Sequence, residues 1–205
     1  MTTAEVLHQL FFRGRGTEAV RSTVRRLRHA GYLQTGDLTA TKRQYLRLSK
    51  LGTRVLGIPA SFCRPLGEQA LIGRYAVLAY CCAAASNRLL LQPDEFEEEF
   101  ADCVSKGLPN EPYSLEQSDG RTRLAYLLVG YGADAGRVVR KCQRAYVMRQ
   151  RVDGFCKLLA DDAFIVTVLT AEPTKKEAVL AAASRNERLR FRIGVETLTQ
   201  LQEVY

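Results

Sequence analysis

Apolar residues recur at helical spacing from the start of the chain. Val6, Leu7, Leu10 and Phe11 predict a helix over residues 4–12. Arg13-Gly-Arg-Gly16 interrupts it, and Thr17 followed by Glu18 predicts the N-cap and acidic first turn of a second helix. In that helix Val20, Val24 and Leu27 fall at i, i+4, i+7 and form an apolar stripe. Arg21, Arg25 and Arg28 repeat the spacing one residue on, so they form a parallel stripe about 100° around the helix. Gly31 predicts its end. Tyr32-Leu33 and Gln44–Leu48 predict two short strands around a polar loop, and Ser49 predicts the cap of a short helix through Leu56.

Pro59, Pro65 and Gly67 break the pattern over residues 58–73 and predict a linker. The expected organisation is therefore a first domain over 1–57, a linker over 58–73 and a second domain over 74–205. In the second domain an apolar helix is predicted at 70–85, a strand at 88–91 and an acidic helix at 94–105. Strands at 113–116 and 123–129 flank the turn Gln117-Ser-Asp-Gly120. A helix at 135–151, a β-branched strand at 163–170, a helix at 174–184, a strand at 188–193 and a helix at 195–204 complete the series. The order predicts an α+β fold.

Charge divides the chain more sharply than hydropathy. The 205 residues carry a net charge of +8. Residues 1–57 hold eleven Lys and Arg against Glu5, Glu18 and Asp37, and the remainder holds 19 of each sign. The whole excess lies in the first domain. A basic module on a neutral body points to a polyanion, and DNA or RNA comes first. A helix fits the major groove and arginine reads guanine edges in two-pronged fashion. The candidate DNA-binding residues are Arg13, Arg15, Thr17, Arg21, Ser22, Arg25, Arg26 and Arg28. Lys42 and Arg43 in the polar loop would reach phosphates or a minor groove. Arg137, Lys141 and Arg144 share one side of the later helix and form a candidate second basic surface. The plainer expectation is that this side is solvated and paired with the acidic helix that carries Glu97-Glu98-Glu99.

Other chemistry is sparsely represented. The six cysteines form no Cys-x-x-Cys pair, and His8 and His29 both lie in the basic module. No Gly-x-Ser-x-Gly or His-Glu-x-x-His occurs. Gly130-Tyr-Gly132-Ala-Asp-Ala-Gly136 has the spacing of a tight turn into a helix and not of a dinucleotide fingerprint. No cofactor and no metal are expected. No leader is visible, and the longest apolar run, 75–85, is about half the length a bilayer requires. A cytoplasmic, nucleoid-associated protein with reduced thiols and no membrane partner is expected.

The segments Thr-Val-Arg-Arg-Leu-Arg-His-Ala-Gly-Tyr-Leu (23–33) and Tyr-Leu-Arg-Leu-Ser-Lys-Leu-Gly-Thr-Arg-Val-Leu (45–56) resemble bacterial winged helix-turn-helix proteins. One departure stands out: a single helix precedes the recognition helix, so the usual first helix is short, missing or supplied from elsewhere. After residue 57 the order helix, three-strand meander, helix, buried strand is similar to the PD-(D/E)XK nuclease core. The combination resembles the bacterial replication-relaxation family, which occurs with plasmids and mobile elements. That family's nuclease motif requires an Asp on one strand and an acid-x-Lys on the next, to hold a metal and orient water. Here Pro112-Tyr113 stands where Pro-Asp would, Leu124–Val129 carries neither acid nor Lys, and Asp134 remains alone. The resemblance thus implies no enzyme. It implies a homodimeric, sequence-specific DNA-binding protein regulating transcription in a mobile element, the second domain a degenerate core kept for assembly. The alternatives are an accessory factor in plasmid replication or conjugal transfer, and a divergent metal-dependent nuclease using Asp134.

Overall fold

Helix α1 (Ala4–Phe11) begins where the Thr3 hydroxyl accepts a hydrogen bond from the Val6 amide. Helix α3 (Lys50–Val55) begins in the same way, with Ser49 accepting from the Gly52 amide at 3.0 Å. These elements belong to a computed structural model that describes residues 1–12, 14–38, 44–82, 88–118, 120–186 and 191–202. Two units, Met1–Ala83 and Ala84–Gln202, each combine helices with a sheet, so the chain is of the α+β class.

In the N-terminal unit, α2 (Thr17–His29) follows α1. Its N-cap is Gly16 and not the expected Thr17, which is the first helical residue. The helix stops at Ala30, and Gly31 adopts φ +77°, a conformation that disfavours any side chain. Strand β1 (Leu33–Asp37) then pairs antiparallel with β2 (Gln44–Leu48). β1 reaches four residues into the stretch expected as loop. Thr2 adds a bridge to Leu46 on the other edge of β2, with reciprocal backbone bonds of 2.9 and 2.8 Å. The expected linker is not unstructured: Ala60–Cys63 forms a 3-10 turn and α4 (Glu68–Cys82) starts within it. Helix α4 is apolar nearly all round, from Leu71 to Cys81, and packs against α1. Val6, Val20, Leu38, Tyr45 and Leu46 are buried in this unit.

The C-terminal unit is built on one five-stranded sheet in chain order: β3 (Arg88–Leu91), β4 (Tyr113–Ser118), β5 (Arg121–Val129), β6 (Phe164–Thr170), β7 (Ile193–Thr197). The first three form an antiparallel meander and the last three are parallel. The meander's turn is tighter than expected, since Ser118 already pairs with Arg121 and Gly120 adopts φ +72°. Parallel strands need crossovers. Helix α6 (Ala135–Arg149) and α7 (Asp153–Ala160) make the first, and α8 (Pro173–Ser184) makes the second. β6 is buried at every position, as a central strand covered on both faces must be. It carries Phe164, Val166, Val168 and Leu169, each of which contributes on the order of 1.5–3 kcal/mol by burial.

Further elements of this unit depart from the sequence pattern. Helix α5 (Pro93–Glu99) stops before a separate 3-10 turn, Ala101–Cys103, where a helix to 105 was expected. Helix α7 was not anticipated. The last strand among the described residues is Ile193–Thr197, which starts where the expected strand 188–193 ends; 188–190 lie outside the described residues. The last helix, α9, begins at Thr199 where 195 was expected and is described through Gln202, with 203 and 204 outside the described residues. No helix among the described residues is long and apolar enough to cross a membrane.

Candidate nucleic-acid interface

Helix α2 presents every arginine it carries. Arg21, Arg25, Arg26 and Arg28 are all exposed, while Val20 is buried at 2% exposure and Val24 is half-buried. The apolar stripe fades toward the C-terminal end, where Leu27 is 38% exposed. Arg21 faces Glu18 at 3.8 Å, with both side chains largely in solvent, so that pair is screened and weak.

An open groove of about 700 Å³ runs between the end of α2 and the β1–β2 hairpin. Arg25, Arg28 and His29 line it from the helix, Leu33, Gln34 and Thr35 from β1, and Arg47 from β2. The register sets Gln34 opposite Arg47. Arg47 Nη1 donates to the Cys63 carbonyl, and its Nε is buried without a hydrogen-bond partner. The same residue and Gln34 line a second hollow of about 400 Å³, with Lys50 and Arg64 on its wall. Among the described residues neither lining contains a carboxylate. Two of the expected residues, Arg25 and Arg28, thus meet in one groove. Arg15, Thr17, Arg21, Ser22 and Arg26 are exposed but do not line it. Arg13, Lys42 and Arg43 lie outside the described residues. Arg47, Lys50 and Arg64 were not singled out. The available signal was Arg47 itself, a charge inside the apolar run Tyr45–Leu48.

Arg137, Lys141 and Arg144 lie exposed on α6, together with Arg140. None of the four is ion-paired among the described residues. The acidic α5 does not pair with them. Its Glu95 instead accepts from the Gln92 amide and caps its own helix, and Glu97 accepts from Asn110. At the head of α6, the Asp134 carboxylate accepts from the Arg137 amide at 2.8 Å. That bond, aided by the charges of Arg140 and Arg137, holds its carboxyl below the usual range.

The positions where the nuclease motif would sit have a different chemistry. Tyr113, the first residue of β4, pairs directly with Tyr126 of β5. Tyr113 is fully buried and stacks on Phe96 with centroids 4.2 Å apart. The Arg149 guanidinium, 1% exposed, lies 3.7 Å from the Tyr126 ring centre and donates to Tyr113 Oη. Burial pushes the Tyr113 hydroxyl up to about 12, with Arg149 opposing. Aromatic rings and a cation in place of carboxylates do not fit a divalent metal, whose ligands are hard oxygen anions. Among the described residues no group of three or more His, Cys, Asp or Glu is placed to hold a metal ion. Comparison of the chain with protein-family models, curated proteins and solved structures found no match.

Proposed function

We propose that this chain is a sequence-specific duplex-DNA-binding protein of winged-helix type, acting as a transcriptional regulator. The observation that carries the reading is the groove in which Arg25, Arg28 and Arg47 converge with no carboxylate among the described lining residues. Three guanidinium groups in one concavity repel one another. An anion that enters it relieves the repulsion and gains charge-assisted hydrogen bonds. Arg47 strengthens the case, because a buried Nε without an acceptor costs about 1–3 kcal/mol that an apolar residue would avoid.

The arrangement of the parts favours nucleic acid over a small anion. A helix followed by a two-stranded hairpin offers one element for the major groove and one for the flanking backbone. Helix α4 against α1 supplies the packing partner that the single helix before α2 lacks. The meander β3–β4–β5, the crossover helix and buried β6 follow the order of a nuclease-like core, which supports the likeness to the replication-relaxation family. Tyr113 and Tyr126 at the motif positions favour a non-catalytic role for that core.

A gel-shift titration over salt tests the proposal. Neutralising three or more phosphates predicts a slope of log K against log salt of about −3 or steeper. Arg25→Ala with Arg28→Ala lowers the affinity and flattens the slope by about two. Affinity indifferent to salt, or unchanged in the double variant, overturns it. Mapping bound genomic sites assigns the role: promoter-proximal sites support a regulator, and sites confined to an origin refute that part.

A further inference from the structure

We infer that α6 carries a second DNA contact in the C-terminal unit, one that grips the duplex backbone without reading sequence. The inference rests on the DNA-binding reading above. Helix α6 is divided lengthwise by its burial. Val138, Cys142, Ala145 and Arg149 recur at i, i+4, i+7, i+11 and are all buried. Arg137, Arg140, Lys141 and Arg144 fall within about 100° of one another on the other side, all exposed. A solvated helix face normally mixes signs, because opposite charges at i, i+4 stabilise it and like charges destabilise it. This face breaks that rule. Arg137 repels Lys141, Arg140 repels Arg144, and no ion pair among the described residues offsets either. Asp134, on which the charges of Arg140 and Arg137 act, is engaged as the helix cap.

The dimensions suit a polyanion rather than a single phosphate. From Arg137 to Arg144 the helix rises about 10 Å. One strand of duplex DNA carries a charge about every 3.4 Å, so that length meets about three phosphates. Three of the four cations are arginines, which form two hydrogen bonds to one phosphate. None of the four lines either hollow described above, and cations on an open helix face meet phosphates, which position without specifying.

The test uses the full chain with a mixed-sequence duplex of about 30 base pairs, roughly three helical turns. The substitutions Arg137→Ala, Lys141→Ala and Arg144→Ala are combined, all at exposed positions, and an unchanged thermal melt checks the fold. The expected result is a salt slope flatter by about two to three, and an affinity for mixed sequence lowered about tenfold or more. Preference for a mapped site over mixed sequence stays the same. In the groove variant Arg25→Ala/Arg28→Ala, residual sequence-blind binding persists, and Lys141 remains protected from acetylation by bound duplex. If the triple variant binds duplex as the wild type does while the groove variant fails, the second contact is wrong and the groove stands. If the triple variant instead loses binding only to vesicles of phosphatidylserine and phosphatidylcholine, the stripe is a membrane contact and the inference is overturned. If the wild type binds no duplex at all, the DNA reading falls and takes this one with it.

Discussion

Arg149 Nη2 lies 2.7 Å from Tyr113 Oη, joining the last turn of α6 to the first residue of β4 inside the core. Nε donates to the same oxygen at 3.1 Å and Nη1 to the Ala145 carbonyl at 2.9 Å. No carboxylate pairs with this guanidinium among the described residues. The rings of Tyr126, Tyr113, Phe155 and Phe164 surround it within 6 Å, and their negative faces take the place of a counter-ion.

Tyr113→Phe removes the one side-chain acceptor among the described residues and leaves the cation desolvated. Hydrogen bonds to charged groups contribute about 1.5–3 kcal/mol, and a loss of that order is expected on chemical denaturation. Arg149→Met alone removes the charge but leaves the Tyr113 hydroxyl unpaired. In the double variant both polar partners are gone and the apolar shape is kept, so much of the loss returns. A double-mutant cycle with no coupling between the two sites would contradict this account.

Alkaline pH attacks the same core. Burial raises Tyr113 to about 12 from its ordinary 10.0, Cys103 to about 11 and Cys142 to about 12 from 9.0. In each case the neutral, protonated form is favoured in the fold. The unfolded chain therefore releases these protons first, and stability present below the ordinary values is lost as pH rises through the folded ones. Tyr113 alone removes about 1.4 kcal/mol per pH unit between about 10 and 12, and the thiols steepen the fall from about 9. Denaturation midpoints measured from pH 8 upward should decline from about 9. A midpoint constant to pH 11 would refute the burial of these groups.

Much of the fold was legible where local rules and tertiary packing agree. The Ser49 cap, the α2 stripe and the β-branched run of β6 are each specified by neighbours in sequence. Helix α7 escaped because Asp153–Ala160 is barely two turns long: Phe155, Leu158 and Leu159 stand at i, i+3, i+4, but the close approach of Gly154 to the Asp102 backbone that seats the helix is not visible in the local sequence. The edge strand β7 slipped because Ile193–Thr197 is half-polar, and its place is set by pairing with β6. Arg149 shows the limit most clearly. Its spacing from Val138 sets it on the buried stripe, but an arginine is almost never buried unless partnered, and the partner lies 36 residues away on a strand. The groove was half legible for a similar reason: Arg25 and Arg28 share a helix face, whereas Arg47 joins them only through the hairpin register.

Gly52 tests how the N-terminal unit is closed. A Cβ on this residue would stand 2.4 Å from the Tyr32 carbonyl oxygen, a backbone atom that cannot swing aside. Gly52→Ala must therefore push α3 off the start of β1, where Ser49 N also donates to Tyr32 O. A destabilisation of about 1–3 kcal/mol is expected from overpacking. Because β1 lines both hollows and α3 borders the smaller one, duplex affinity should fall with it. An alanine variant with wild-type melting and wild-type binding would show that this contact is not a constraint.

Arg47 distinguishes charge from geometry in the groove. Its guanidinium serves two directions, with Nη1 on the Cys63 carbonyl and the remainder between the two hollows. Lysine keeps the charge but is a single point donor, unable to hold the carbonyl and face a phosphate together. Arg47→Lys should therefore keep the salt slope of DNA binding while weakening affinity several-fold, and it should loosen the Ala60–Cys63 turn, seen as faster amide exchange at Arg64. Arg47→Ala should flatten the slope by about one unit as well. If lysine restores full affinity, Arg47 contributes only charge and its bond to Cys63 is incidental to binding. If alanine leaves both slope and affinity unchanged, Arg47 is not part of the DNA interface.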